Sequence, residues 1–169
     1  VRSARAARPG RPGAALAALA LLVTGLGCGR SLAPTDPYVD LVTQDPHGRT
    51  LRFSDFAGKV RLVDLWASWC GPCRITIPEL NALHERYRDR GLVVLGISVD
   101  EDPAAVLEFE RSVPIRYPTG LFNPRLAERL GEPSAIPTTL LIDRKGALRR
   151  TFVGYVDAAT LEQEILGLL

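Results

Sequence analysis

The sequence predicts a single α/β domain in which a central sheet is covered by helices on both faces. Two continuous apolar runs, Val60–Trp66 and Leu92–Val99, read as strands buried on both sides. Between them, Pro72 to Arg90 has helical spacing, with Ile77, Leu80, Leu83, His84 and Tyr87 on one side. The alternation of strand and helix continues to the C-terminus, and a chain that alternates in this way builds a layered sheet. The 169 residues suffice for one domain and an N-terminal appendage. A content of 46% hydrophobic and 24% charged residues supports an ordinary globular core.

Each element has its own signal. Tyr38–Thr43 and Thr50–Phe53 are short strand candidates around the turn cluster Asp45-Pro46-His47-Gly48, which makes an N-terminal hairpin. Ser54 to Lys59 is a polar connection to the first buried strand, and Gly91 stops the helix that follows it. Asp102-Pro103 opens a second helix with Val106, Leu107 and Phe109 inward, followed by a strand expected around Ile115–Tyr117. Asn123-Pro124 is a good N-cap and first helical residue for Arg125–Leu130. Thr138–Ile142 and Leu148–Val153 flank Asp143-Arg144-Lys145-Gly146 as a hairpin, and Asp157 caps a last helix running to Leu169.

Residues 1–27 read as an export signal. Arg2, Arg5, Arg8 and Arg11 precede the apolar run Ala14–Val23, and the small residues Gly25 and Gly27 lead to Cys28. The apolar run is shorter than the ~20 residues a membrane-spanning helix needs. A cysteine at the cleavage point resembles the lipobox of bacterial lipoproteins, which makes Cys28 the expected lipidation site. Gly25 departs from that motif, which carries leucine there; a plain cleaved signal and an uncleaved anchor are the alternatives. Residues 28–37 are expected to form a tether, since Arg30 to Pro37 hold Ser, Thr, Pro and Asp in place of core formers. The folded domain is expected over 38–169, outside the cytoplasm, membrane-anchored or periplasmic.

Charge and cysteine usage exclude other classes. Four of the 21 basic residues precede Cys28 and no acidic one does, so the rest of the chain carries 17 basic against 19 acidic residues. That weakly acidic body has no basic run to bind nucleic acid. Three cysteines are too few for a disulfide-stapled scaffold, and neither His47 nor His84 stands in zinc-ligand spacing with another ligand. No metal and no cofactor is expected.

The pair Cys70 and Cys73 therefore needs its own explanation. Residues i and i+3 in the first turn of a helix share a face and can close a disulfide with little backbone movement. The free N–H groups and the positive end of the helix dipole stabilise a thiolate, lowering its pKa from about 8.5 to roughly 3.5–7.5. Pro72 suits the first turn, and Gly71 lets a partner backbone approach. Cys70 then attacks a disulfide and Cys73 resolves the mixed disulfide. A lone CxxC is often half a zinc site; following a buried strand and opening a helix, it reads as redox-active.

The segment Trp66-Ala67-Ser68-Trp69-Cys70-Gly71-Pro72-Cys73 resembles the active-site signature of the thioredoxin superfamily. Ile136-Pro137-Thr138 resembles the cis-proline loop that faces the dithiol in those proteins, where Ile136 and Pro137 would pair with an extended substrate and Trp69 would contact it. Export signal, N-terminal hairpin and the extra segment Asp102–Tyr117 make the chain most similar to the extracytoplasmic branch of the ResA and TlpA type. The resemblance covers Tyr38 to Leu169. It implies a thioredoxin fold with a mixed sheet, an N-terminal hairpin and a helix–strand insertion, acting as a monomer. It further implies a thiol–disulfide oxidoreductase for protein substrates, fed by a thiol donor in the membrane, with cytochrome c maturation as one role.

Two departures matter. The glutamate common in this branch three residues after the second cysteine is replaced by Thr76, while Asp64 matches the buried aspartate of thioredoxin itself. A carboxyl beneath the dithiol would have a raised pKa and could take the Cys73 proton. The lysine that accompanies it in thioredoxin falls at Gly96. Two other functions share the fold. A peroxiredoxin-like peroxidase would want threonine three residues before the nucleophile, where this chain has Ala67. A non-enzymatic binding lipoprotein has no use for an intact CxxC with Pro72 and Pro137.

Overall fold

A computed structural model describes residues 36–169; the signal, Cys28 and most of the tether lie outside the described residues. Five strands form one mixed sheet in the order β5-β4-β3-β6-β7. These are β3 (Val60–Trp66), β4 (Leu92–Ser98), β5 (Thr119–Leu121), β6 (Thr138–Ile142) and β7 (Leu148–Val153). β4 runs parallel to β3 and β5, whereas β6 runs antiparallel to β3 and β7. A separate hairpin pairs β1 (Val42–Gln44) with β2 (Thr50–Arg52). The helices are α1 (Cys73–Tyr87), α2 (Pro103–Ser112), α3 (Pro124–Leu130) and α4 (Ala158–Leu166).

Side-chain alternation along the buried strands divides the core. Val60, Leu62, Val94 and Leu141 pack with Leu80 and Leu83 of α1 and Leu161 and Ile165 of α4. Val63, Leu65, Leu95 and Ile142 pack on the other face with Leu41, Phe53 and Leu126 of α3. A third cluster at the end of β3 joins Trp66, Cys70, Cys73 and Ile77 to Val106 and Phe109 of α2. This is the thioredoxin-like mixed sheet with helices on both faces. The caps are as expected: Asn123 Oδ1 accepts from Leu126 N–H, and Asp157 Oδ1 accepts from Thr160 N–H. Gly91, at φ 95°, takes the left-handed position that ends the short 3₁₀ turn after α1.

The structure corrects four expectations. No strand forms over Ile115–Tyr117, because the Asn81 side chain takes the hydrogen bonds a neighbouring strand would take. Its Nδ2 donates to Pro114 C=O and its Oδ1 accepts from Arg116 N–H, and hydrogen bonding to β4 begins only at Pro118, whose C=O accepts from Gly96 N–H. β1 starts at Val42, since Asp36 gathers the preceding residues into a turn: its Oδ1 accepts from Tyr38 N–H and its C=O from Val39 N–H. α1 starts at Cys73 and leaves Cys70 ahead of the helix. The expected tether ends early. Asp36 forms a 2.7 Å ion pair with Arg61, a β3 side chain with no exposure at all. That contact is close but poorly aligned, and among the described residues Arg61 Nε and Nη1 have no hydrogen-bond partner. The Arg61 guanidinium also lies 5.9 Å from the Tyr38 ring centroid.

Candidate active site

β3 is the most buried strand and delivers the chain to the site at its C-terminal end. Trp66 ends it, wholly buried, with its ring 4.8 Å from Phe109 of α2. The next residues are pinned from β4's end: Asp100 accepts from Ser68 N–H at 2.8 Å and from Ser68 Oγ at 2.7 Å, and Ser98 Oγ also donates to it. Sequence reading missed Asp100, whose only local signal is a carboxylate placed just beyond a buried strand. With the loop held from below, Trp69 projects outward at 71% exposure.

Cys70 and Cys73 are closed as a disulfide with Cα atoms 5.3 Å apart. Cys73 N–H points at Cys70 Sγ, at 3.3 Å, so the first free N–H of α1 already faces the sulfur that would carry charge. Cys70 keeps 3% exposure and Cys73 none, in the order expected of an outer and an inner thiol. Gly71 and Pro72 are exposed, and a Cβ on Gly71 would meet no atom within 4 Å, so nothing inside the fold demands glycine there. The Arg74 guanidinium lies over the Phe109 ring at 4.7 Å, which ties α1 to α2 beside the site.

The Ile136–Pro137 peptide is cis, as the resemblance implied. Pro137 is buried and its C=O accepts from Gly154 N–H, while Thr138 Oγ1 donates to Ala135 C=O. Ile136 is half-buried and packs on the cluster that holds Trp66 and both cysteines. Sequence-distant residues 66–73 and 136–137 thus meet at one end of the sheet.

Asp64 is fully buried in β3, with Gly96 its register partner in β4 and Thr139 its partner in β6. Thr139 Oγ1 donates to Oδ1 at 3.3 Å. Burial pushes the Asp64 carboxyl up to about 7, and the Thr139 hydroxyl pulls it partly back. Tyr117, from the loop before β5, is the second residue sequence reading missed. Burial and the Asp64 charge hold its phenol well above the ordinary range. Thr76, where the resemblance implied a glutamate, is buried and back-bonds to Pro72 C=O. Glu79 receives the Tyr155 hydroxyl at 3.0 Å, a surface contact.

A disulfide nearly buried beneath the exposed Trp69, Gly71 and Pro72, with a backbone N–H on one sulfur, can take part in thiol–disulfide exchange. The Redoxin family matches residues 33–165. The chain is similar to the thiol-disulfide oxidoreductase ResA of Bacillus thuringiensis, 26% identical over 73% of this chain and 72% of that one. A Bacillus subtilis ResA is 27% identical over 68% of this chain and 64% of that one. A crystal structure from Chlorobium tepidum assigned as a thiol:disulfide interchange protein DsbE is 32% identical, with a TM-score of 0.71 over 82% of this chain and 99% of that one. Fold, site geometry and relatives agree: the chain belongs to the redoxin family and is a thiol–disulfide oxidoreductase.

Proposed function

We propose that this chain is a membrane-tethered reductant of protein disulfides outside the cytoplasm. Cys70 thiolate attacks a substrate disulfide, which forms a mixed disulfide and releases one substrate thiolate. Asp64 takes the Cys73 proton, and Cys73 attacks the Cys70 sulfur, releasing the second substrate thiol. Two electrons pass to the substrate and the Cys70–Cys73 disulfide remains, to be reduced again by a thiol donor in the membrane. The extended substrate would lie along Ile136 and Pro137 and against Trp69, Gly71 and Pro72. The observation that carries this reading is the Cys73 N–H directed at Cys70 Sγ, beside an exposed Trp69.

Anchoring through Cys28 follows from the sequence signal and lies outside the described residues. No helix among the described residues is long and apolar enough to cross a membrane. The reductant direction rests on the Gly-Pro dipeptide. The extension to the haem-attachment cysteines of apocytochrome c rests on similarity to the ResA branch alone.

The Cys73→Ser protein should capture substrates as mixed disulfides that dithiothreitol releases, and Cys70→Ser should capture none. The opposite result would reverse the two roles. In intact cells a reductant's pair should be mainly reduced at steady state, so a mainly oxidised pair would overturn the direction.

A further inference from the structure

The first turn of α1 carries an exposed cation that no carboxylate among the described residues neutralises. Arg74 follows Cys73 directly, and two contacts on α2 hold its guanidinium. It lies over the Phe109 ring at 4.7 Å, and Nη1 donates to Ser112 Oγ at 3.4 Å. Phe109 belongs to the cluster that contains both cysteines, so the cation is fixed beside the disulfide. The first turn also holds no acidic residue, which leaves the positive end of the helix dipole unopposed there. A stacked, planar guanidinium is already oriented and loses little further freedom when it pairs with a carboxylate.

Arg74 stands at the head of a groove. Arg74, Pro78, Ala82 and Glu85 recur at helical spacing and form its floor, and Val113 and Pro114, which follow α2, form its wall. The groove encloses about 350 Å³. Asn81 fixes the wall, since its side chain bonds Pro114 C=O and Arg116 N–H. At the far end Arg116 is already paired with Glu85 at 2.9 Å. The helix from Arg74 to Glu85 is roughly 16 Å long at 1.5 Å per residue, the span of about five residues of extended chain. The cis-proline loop lies by a different flank of α1. That flank is marked by Glu79, which accepts from the hydroxyl of Tyr155, next to the Gly154 whose N–H bonds Pro137 C=O.

We propose that this groove receives a segment of the substrate protein adjoining its reactive disulfide, and that Arg74 selects substrates with an aspartate or glutamate in that segment. The inference rests on the reading of the dithiol as a reductant of protein disulfides. The substrate carboxylate pairs with the Arg74 guanidinium, and apolar side chains beside it cover Pro78, Ala82, Val113 and Pro114. Beyond Cys28 the chain carries 17 basic against 19 acidic residues, so it offers an acidic partner no general attraction. One fixed cation beside the disulfide therefore sets the register of the substrate instead of raising its overall affinity for the surface.

The test uses short peptides that each contain one intrachain disulfide, with a single Glu or Gln three residues before or three residues after it. Reduced wild-type enzyme should open the Glu peptide faster than its Gln counterpart in at least one of the two positions. The expected ratio of second-order rate constants is roughly threefold, the worth of one exposed ion pair, and it should shrink at high salt. Arg74→Gln should abolish the ratio. Arg150→Gln, which removes the same charge from β7, should keep it. Equal rates for Glu and Gln peptides in both positions overturn the proposal, as does a ratio that survives in Arg74→Gln. A ratio lost equally in Arg150→Gln assigns the effect to net charge and overturns it too. Reduction of none of the peptides would instead overturn the reading of the dithiol as a reductant, and the proposal with it. A second measurement needs no change at Arg74: in the mixed disulfide of Cys73→Ser with the faster Glu peptide, the amide NMR signals of Ala82 and Val113 should shift. Shifts confined to the surroundings of Trp69 and Ile136 would overturn the groove.

Discussion

Asp64→Asn isolates the electrostatic cost of the proposed proton acceptor. The wild-type carboxyl is fully buried, accepts one hydroxyl donor and has no cation opposite among the described residues, with Gly96 in that register. In the unfolded chain it ionises near its ordinary 3.8, and in the fold near 7. Below about pH 4 both states hold the proton, and Asp64 does not affect stability. Between about pH 4 and 7 the unfolded chain releases the proton while the folded one keeps it, so stability falls as pH rises. A gap of about three pH units at 1.36 kcal/mol each places the full penalty above pH 7 on the order of 4 kcal/mol. Asparagine has the same size, keeps an acceptor for Thr139 and does not titrate. Urea unfolding of the oxidised proteins, extrapolated linearly, should give equal stabilities near pH 4 and an advantage to Asp64→Asn of up to about 4 kcal/mol at pH 8. The variant should also lose roughly a hundredfold in exchange rate near neutral pH, the lower end of what a general base contributes. A stability difference that is the same at both pH values would refute the buried-carboxyl argument, and an unchanged rate would remove Asp64 from the reaction.

Other perturbations test separate parts of the molecule. Asp36→Ala strands the fully buried Arg61 without its counter-ion, and should cost roughly 3 kcal/mol or more in thermal or urea unfolding; a neutral result would mean that the Arg61 head is solvated from elsewhere. Trp69→Ala removes an exposed ring and should change stability by no more than about 0.5 kcal/mol. The same change should lower kcat/KM for a protein disulfide, and an unchanged kcat/KM would take Trp69 out of substrate contact. In the full chain, Cys28→Ala should move the protein from the detergent-released membrane fraction to the soluble one, and mass spectrometry should find no lipid; persistent membrane attachment would argue for an uncleaved anchor.

Much of the site was legible because its signals are local. The i, i+3 spacing of Cys70 and Cys73 and their place between a buried strand and a helix can be read in one window. The resemblance of Ile136-Pro137-Thr138 to a known loop supplied the second half, and the structure brings that loop to the dithiol. Asp64 stood out as a charge in an apolar run, and its pairing with Gly96 agrees with the register the resemblance implied. Asp100, Arg74 and Tyr117 carried no such mark. Each meets a residue far away in sequence, and each looks locally like a solvated charge or an ordinary apolar residue.

By itself, then, the sequence determined the buried strands, the helix periods, the caps at Asn123 and Asp157 and the chemistry of the dithiol, all of which depend on residues within a turn or a strand of one another. Only the tertiary structure decided where β5 begins, because Asn81 captures the backbone of the segment expected to pair. It alone decided that the folded domain reaches back to Asp36, because burying the Arg61 guanidinium in β3 requires a counter-ion that the chain supplies from upstream of the hairpin. It also decided that Asp64 lies between Gly96 and Thr139 with no ion-pair partner among the described residues, a property set by which strand lies beside which. Local periodicity follows from the geometry of one helix or strand, whereas the polar partners of a buried charge come from whichever elements the packed core brings against it.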